Sequence, residues 1–459
     1  MIGTPARSFW FPVQAVAKPQ FLAGALILSS FAVALNGQAV DLDQEGVSGA
    51  SRGRSQIGTR GEVSVGNSFH YQLGLNGIFD NQLQPVAADN KGNLVRVRNF
   101  YGEELTGGIY GTRIGRRYRL GLDYRLGVRH YTHSSYYSGS DHNLGLSYRA
   151  RPSRFWTLNM AQRFTTTTNG LGFVAQGSNN DLGSALAPVA QFFSTRLNYL
   201  QSTGSATWIA SSRNQVSFGG DYIRQEYASS ALFGSKGYLL NSKVERRLSK
   251  RFSVGGSYTK GRFTFGEQVE SQSHTIQANL ESSFARFWTF NLNAGATASD
   301  VTNKFTFRLD PVLAAILGQS TVTQSFNQRN IFPSGSVELT RRFEHSSFGA
   351  NYSRSFGANN GVLGASRVEG ASIAYSRNIS GNINLGAAGT YWNYSGLGQI
   401  TGKTNAKSAN AQLSYRFTSA LHLTMSYDYR IQKAGSLDYS GNRVAVGIAF
   451  SPSDRPLRF

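Results

Sequence analysis

Residues 409–432 read ANAQLSYRFTSALHLTMSYDYRIQ, and this stretch decides the fold. From Leu421 onward, Leu, Leu, Met, Tyr, Tyr and Ile occupy the odd positions, and polar side chains occupy every position between them. Successive side chains of a β-strand point to opposite faces, so this segment has one apolar and one polar face. The preceding segment repeats the alternation up to Phe417, and only residues 418–420 separate the two. The stretch therefore predicts a β-hairpin.

The arms of this hairpin are long, and the chain contains many like them. Strands of soluble proteins are mostly about 5 to 6 residues long, whereas a tilted membrane-spanning strand needs about 9 to 11. Alternating segments of the longer kind recur about 18 times between residues 61 and 450, an even number as in bacterial barrels. The pattern predicts an all-β, transmembrane, antiparallel up-and-down β-barrel of about 18 strands, with 16 as the alternative count.

The connections between these segments alternate in length. Short turns are followed by longer polar segments, among them residues 265–273, 300–332, 357–366 and 433–441. Outer-membrane barrels have short periplasmic turns and long extracellular loops, so the alternation supports the same fold. A propeller is the alternative suggested by a repeated RFWT motif at residues 154–157 and 286–289. Propeller blades consist of four short strands, however, and each unit here holds two long ones.

The N-terminal region resembles a secretory signal. Arg7 and Lys18 precede and flank an apolar stretch at residues 21–35, and Gly37 and Ala39 are small residues suited to a cleavage site. A single membrane anchor is the alternative. We expect residues 1–39 to be a signal peptide, 40–60 a flexible periplasmic lead, 61–450 the barrel, and 451–459 a C-terminal tail. A lead of this length is too short to be a plug domain.

Composition narrows the remaining classes. The absence of cysteine excludes disulfides and thiolate metal sites. The formal charge of +21 raises the question of nucleic-acid binding. The basic residues are scattered among strands and turns, and an exported chain rarely meets nucleic acid. We therefore expect no nucleic-acid partner.

Charged side chains indicate which face lines the lumen. In residues 118–130, apolar side chains alternate with Arg119, Asp123, Arg125 and Arg129. An arginine facing lipid at mid-bilayer costs about 2–4 kcal/mol, so these side chains should face the lumen. The predicted lumen-facing set is Arg119, Asp123, Arg125, Arg129, Arg163, Asp221, Glu281, Asp428 and Arg430. Its arginines predict a wet, charged pore with a preference for anions.

Aromatic residues collect near strand ends, where an apolar ring with a polar edge suits the membrane–water boundary. The predicted girdle consists of Phe155, Trp156, Phe287, Trp288, Tyr391, Trp392 and Tyr394. The alternative is that these rings belong to the core of a soluble sandwich.

A second feature is the short apolar helix predicted after Asp310 and Pro311. Its residues Val312, Leu313, Ile316 and Leu317 are expected to fold into the barrel mouth and narrow it; a lid or a subunit contact is the alternative.

The sequence also offers residues that suit metal binding or hydrolysis. His130, His133, Asp141 and His142 bracket one predicted loop, and such residue types suit zinc or copper. Histidines so close together are unremarkable, so we predict no metal site and no cofactor.

Some outer-membrane barrels are hydrolases. Nothing in this sequence supplies a spaced nucleophile, base and orienting acid together. We therefore predict a protein without catalytic activity.

The last strand carries a resemblance. Residues 438–450 read DYSGNRVAVGIAF, and together with the alternating strands and the Gly- and Tyr-rich composition they resemble Gram-negative outer-membrane barrels, specifically the β-barrel porin-2 type. The resemblance implies an outer-membrane location and, in some members, a link to exopolysaccharide export. It also implies that the barrel-assembly machinery reads a terminal aromatic residue. Either Phe450 or Phe459 could serve, because Pro452 and Pro456 follow the strand.

The sequence thus predicts a porin-like channel for passive or gated passage of small polar solutes, with anionic solutes favoured. A conduit or scaffold for exopolysaccharide secretion is the first alternative, and an outer-membrane hydrolase is the second. Expected partners are outer-membrane lipid, lipopolysaccharide and the assembly machinery, with a homo-oligomer as a further option.

Overall fold

The computed structural model describes residues 68–81, 99–132, 138–167, 196–228, 232, 234–266, 268–284, 287–308, 319–358, 364–397, 402–434 and 437–452. The predicted signal peptide and periplasmic lead lie outside these residues, as do Phe459 and the predicted constriction helix at residues 312–317. Within the described ranges, no helix has the length and apolar character needed to cross a membrane.

Eighteen β-strands make up the described structure, which confirms the predicted count. They are β1 (Ser68–Asp80), β2 (Phe100–Ile114), β3 (Tyr118–Tyr131), β4 (Gly139–Ser153), β5 (Trp156–Thr167), β6 (Leu197–Ile209), β7 (Asn214–Tyr227), β8 (Ser235–Ser249), β9 (Phe252–Phe265), β10 (Val269–Ser282), β11 (Trp288–Arg308), β12 (Thr321–Arg342), β13 (Ser346–Ala358), β14 (Ala365–Asn378), β15 (Ile383–Gly396), β16 (Lys403–Arg416), β17 (Leu421–Ala434) and β18 (Leu437–Phe450).

Every strand pairs antiparallel with its neighbours in sequence, and β1 pairs with both β2 and β18. The sheet is therefore a closed up-and-down barrel, as predicted. The closing seam runs from Leu73 opposite Phe450 to Asp80 opposite Arg443. Gly447 faces Asn76 at this seam, and a Cβ there would collide with Asn76 and the Leu75 carbonyl. The seam thus depends on close backbone approach at Gly447.

The two ends of the barrel differ. At one end, here called the turn end, short connections join β2 to β3, β4 to β5 and each later pair up to β16 and β17. The opposite end, here called the loop end, carries the connections that follow the odd-numbered strands. Both the first residue of β1 and the last of β18 lie at the turn end.

Several predicted loops at the loop end are wrong, because the strands continue into them. Only residues 266–268 join β9 to β10, with Gly266 at φ 57°, and only residues 435–436 join β17 to β18. Much of the predicted loop at 300–332 belongs to β11 and β12. The apolar residues of the β11 and β12 extensions do not keep to one phase: Ile331 faces outward, whereas Val301 and Phe332 face inward. The regular alternation that marks a strand in lipid is therefore lost, although backbone pairing between β11 and β12 continues.

The wall divides between β12 and β13. β12 pairs with β11 along its whole length, from Arg341 opposite Trp288 to Thr321 opposite Arg308. Its pairing with β13 stops at Gly335, opposite Arg354. Pro333 stands two residues beyond that point, and proline has no N–H to donate to a neighbouring strand. The missing donor explains why the ladder ends here and why β13 is free to leave the wall.

Candidate pore and its constriction

The outer face of the barrel is apolar on every strand. Met425 and Val446 are opposite each other on β17 and β18, and each is about two-fifths exposed. Exposed outward apolar or aromatic residues of seventeen strands are, from β1 to β10, Leu73, Leu105, Leu120, Leu146, Met160, Trp208, Phe218, Val244, Tyr258 and Ile276, and from β12 to β18, Ile331, Tyr352, Ile373, Tyr391, Leu413, Met425 and Val446. On β11 the outward phase carries Trp288, Phe290 and Leu292. A continuous apolar exterior of this extent marks a surface that meets an apolar partner rather than water.

The inner face is polar. On β17 the side chains between the exposed apolar residues include His422, Arg430 and Gln432, each 1–2% exposed. Cross-strand hydrogen bonds link neighbouring inner side chains, such as Thr390 to Ser408 at 2.6 Å and Asn293 Nδ2 to Ser336 Oγ at 2.8 Å. The polarity of the two faces is thus the reverse of that in a soluble barrel, where the core is apolar.

All nine residues predicted to line the lumen lie in the inner phase of their strands. Residues that are directly opposite each other on neighbouring strands share a face of the sheet. Arg129 is opposite Glu104, and Asp428 is opposite Arg443. Their chain neighbours Val128 and Tyr427 are exposed and lie in the outward phase. The same parity places the remaining residues inside: Arg119, Asp123, Arg125, Arg163, Asp221, Glu281 and Arg430.

Charged residues concentrate on one sector of the inner wall, formed by β17, β18 and β1 to β5. Arg129 Nη2 lies 2.5 Å from Asp141 Oδ2, with Glu104 at 3.9 Å. Arg443 contacts Glu104 at 3.2 Å and Asp80 at 3.9 Å, and the Tyr131 hydroxyl donates to Asp80 at 3.1 Å. The sequence analysis did not assign Asp80, Glu104, Asp141 and Arg443 to the lumen, because they lie in or beside segments predicted to be loops. Their shared inward phase was the available signal.

The sector formed by β13, β14 and β15 is different. Within the described residues, the inner phase of these three strands carries no ionisable acid or base other than Tyr394. Its side chains are mostly Ser, Asn, Gly, Ala and Thr. A solute in the lumen would therefore meet a charged wall on one side and a neutral polar wall on the other.

An apolar cluster lies inside the barrel near the loop end. It is built mainly from inward-facing residues of adjacent strands: Tyr199, Ile223, Leu239, Phe263, Phe265, Val269, Val301 and Phe332. Phe356 of β13 and Ala365 of β14 complete it. The Phe263 and Phe356 ring centroids are 6.0 Å apart, although β9 and β13 are four strands apart in the wall.

This contact requires β13 and β14 to bend inward. Neighbouring strands are about 4.8 Å apart, so strands four places apart cannot touch while both remain in the wall. The segment formed by residues 355–358 and 364–368, here called the inner tip, separates from β12 above Arg354 and packs on the inner side of β9 and β10, while its β14 part stays paired with β15. A Cβ at Gly364 would lie 3.7 Å from the Val269 Cβ. Among the described residues, the inner tip is therefore the segment that narrows the lumen. The helix at 312–317 lies outside the described residues and stays a prediction.

The buried pair of Arg129 and Asp141 gives a prediction. Their side chains are 2% and 1% exposed, so Asp141→Asn removes the nearest carboxylate from a buried arginine, and Glu104 lies farther away at 3.9 Å. We expect the barrel to lose about 3 kcal/mol of stability, the lower end of the range for breaking a buried pair. The temperature at which the folded band disappears from a semi-native gel measures the loss.

Asp123→Asn is the matched control for this variant. It breaks the contact to Arg125 at 2.7 Å, but these side chains are 45% and 20% exposed. Water already screens such a pair, so the control should lose less than about 1 kcal/mol. Equal losses in both variants would contradict the assignment of Arg129 to a buried network.

The predicted aromatic girdle needs a correction. Phe155, Trp156, Phe287 and Tyr391 are exposed, each at 39–50%, and Trp288 shares their outward phase. Trp392 and Tyr394 were wrongly included, because they alternate with Tyr391 and its outward neighbours and so face inward. The Trp392 ring lies over Gly370, and Tyr394 is 4% exposed. Tyr391 and Trp392 are adjacent aromatics on opposite faces, and the sequence prediction did not separate them.

The candidate metal residues are not gathered together where the structure describes them. Asp141 faces inward to Arg129, whereas His142 faces outward and bonds to the Tyr124 hydroxyl at 3.1 Å. His130 also lies in the outward phase of its strand, and His133 lies outside the described residues. Among the described residues no group of three potential ligands is close enough to hold a metal ion.

Comparisons with known proteins give structural likenesses only. No protein-family model matches the sequence, and no curated protein matches it. Similar solved structures include a BenF-like porin from Pseudomonas fluorescens Pf-5, at 10% identity and TM-score 0.42, covering 84% of this chain and 98% of that one.

Two others have comparable values. Pseudomonas aeruginosa OccK5 (OpdH) is 11% identical with TM-score 0.40, covering 84% of this chain and 98% of that one. Acinetobacter baumannii OccAB4 is 9% identical with TM-score 0.39, covering 86% and 100%. Likeness at this level does not assign the function of these proteins to this chain.

Proposed function

We propose that the protein is a porin-like channel of the bacterial outer membrane that passes small polar solutes. One observation carries this proposal: a closed barrel that is apolar outside and polar inside. Only closed barrels and helices satisfy every backbone hydrogen bond within a bilayer. A barrel of this strand number is wide enough to hold an aqueous passage unless chain segments fill it.

The topology supports one orientation. The turn end, with short connections and both barrel termini, faces the periplasm, and the loop end faces outward. Solutes then enter past the inner tip and the apolar cluster before reaching the polar lumen. The constriction at the loop end makes this a selective passage for small molecules, and the channel performs no covalent chemistry.

Ion selectivity should be weaker than the sequence suggests. Arg125 and Arg129 are matched by Asp123 and Asp141, so their charges are largely cancelled. Arg119 and Arg163 have no carboxylate within 4 Å among the described residues, and we propose that they provide the residual attraction for anions. In a potassium chloride gradient, Arg119→Gln combined with Arg163→Gln should shift the reversal potential toward cations. No shift would remove these two residues from the selectivity mechanism.

Planar-bilayer recording of the purified protein tests the pore itself. The proposal expects stepwise ohmic conductance in neutral phosphatidylcholine, and fractionated cells should yield the protein with outer-membrane markers. Protein that assembles into bilayers but never conducts would overturn the channel function. A sugar-swelling assay with liposomes then sets the size limit, since neutral sugars of increasing mass should enter progressively more slowly.

A further inference from the structure

Cations collect on the outer face of β7 to β11, at the loop end. They are Arg224 on β7, Lys236 on β8, Lys260 and Arg262 on β9, and Lys304 on β11. The outward phase of these strands carries Tyr222, Tyr238 and Tyr258, each about two-fifths exposed. The four cations of β7, β8 and β9 have the same parity as the tyrosine of their strand and so lie in the outward phase. Lys304 has the parity of Ala296, which is opposite the exposed Ile276, and also lies in the outward phase.

The cations stand just beyond the apolar belt. On three adjacent strands an outward tyrosine is followed, two residues closer to the loop end, by an outward cation: Tyr222 by Arg224, Tyr238 by Lys236, and Tyr258 by Lys260. Tyrosine rings favour the boundary between hydrocarbon and headgroups. The cations therefore stand at the level of the headgroups.

The arrangement is electrostatically incomplete within the chain. Arg224 lies directly opposite Lys236 in the register, and like charges in that position destabilise a sheet. Carboxylates contact some of the group: Glu226 contacts Arg224, and Glu270 lies 2.7 Å from Lys304 and 3.7 Å from Arg262. Within the described residues, no carboxylate lies within 4 Å of Lys236 or Lys260. Lys236 and Lys260 are thus the cations of the group without a carboxylate partner in the described part of the chain, and an anion bound to this surface would relieve the repulsion.

We propose that this surface binds the phosphate groups of a phosphorylated glycolipid, the lipopolysaccharide of the outer leaflet. The inference rests on the proposed outer-membrane location and orientation. Lysine and arginine are the side chains that hold phosphate by charge-assisted hydrogen bonds. Lys236 is opposite Thr264, four residues along β9 from Lys260. With about 3.4 Å per residue and about 4.8 Å per strand spacing, the cations of β7, β8 and β9 extend over about 17 Å of wall. A headgroup with more than one phosphate suits that width better than a single phosphate ion.

The test uses the full-length barrel in phosphatidylcholine nanodiscs, with or without purified lipopolysaccharide. Wild-type protein should gain thermal stability with lipopolysaccharide. Lys236→Gln combined with Lys260→Gln should require at least about tenfold more lipid for the same gain, since each cation near an anionic surface contributes appreciably to binding. Lys243→Gln is the control on β8, because Lys243 faces inward and contacts Glu245 at 2.7 Å. It should respond as wild type does.

Two further arms identify the ligand. Lipopolysaccharide stripped of its phosphates should give little stabilisation, and millimolar inorganic phosphate should give none. Equal stabilisation by the stripped lipid, or an unchanged response in the double variant, would overturn the proposal. Stabilisation by inorganic phosphate alone would also overturn it. Conductance in neutral lipid is measured in parallel, so a failure of the pore and a failure of the lipid site are distinguishable.

Discussion

Met425→Arg should prevent the barrel from assembling. Met425 lies mid-strand on β17, between Leu413 and Val446 on the neighbouring strands, and all three side chains face outward. An arginine at the bilayer midplane of a β-barrel costs about 2–4 kcal/mol. That cost is a large fraction of the net stability of a typical protein, which is about 5–15 kcal/mol. We expect the heat-modifiable folded band in outer membranes to fall by most of its intensity.

Ser426→Arg is the matched control. It introduces the same side chain at the next residue, which faces inward opposite Gln412 and Ala445. Water in the lumen solvates the added charge, so folded protein should reach near wild-type levels. Loss of the folded band in both variants, or in Ser426→Arg alone, would contradict the assignment of the two faces.

Phe356→Asp should enlarge the passage. Phe356 is 6% exposed and belongs to the apolar cluster, where an unpaired carboxylate is costly to bury. The inner tip should therefore leave the cluster. Conductance is limited by the narrowest section, so we expect single-channel conductance to rise by roughly twofold. Phe356→Leu keeps an apolar side chain of similar reach and should conduct as wild type does; an unchanged conductance in Phe356→Asp would contradict the constriction.

A disulfide tests the same constriction from the opposite direction. The Cβ position of Gly364 is 3.7 Å from that of Val269, close to the mean of about 3.8 Å in disulfides. The natural chain has no cysteine, so Val269→Cys with Gly364→Cys would form the only bridge. We expect it to form under mild oxidation. In a Phe356→Asp background, oxidation should return the conductance toward wild type, and reduction should raise it again.

The sequence predicted the wall well, because membrane-spanning strands obey a strong local rule. An apolar residue at every second position reveals both the strand and its outer face, so the strand count and the inward phase of Arg119 or Asp428 follow from the pattern. Trp392 and Tyr394 show where the rule fails. Aromatic rings occur on both faces, so only the phase of neighbours such as Tyr391 identifies the face.

The inner tip could not be predicted in the same way. Its contacts join β13 to β9 and β14 to β10, and no local periodicity records such distant pairings. Pro333 was the available hint, since a proline within a strand marks a missing ladder bond. The ion pairs of Asp80, Glu104 and Arg443 could not be predicted either, because they also join strands that are distant in the sequence. They depend on closure between β1 and β18, which a linear sequence does not display.

The central claim is that lipid contacts one phase of every strand and water contacts the other. Single cysteines at consecutive positions 423 to 428 test it most directly, because no native thiol competes. In intact outer membranes, a water-soluble maleimide should label positions 424, 426 and 428 and spare positions 423, 425 and 427. Uniform labelling, or labelling of the odd positions instead, would contradict the barrel described here.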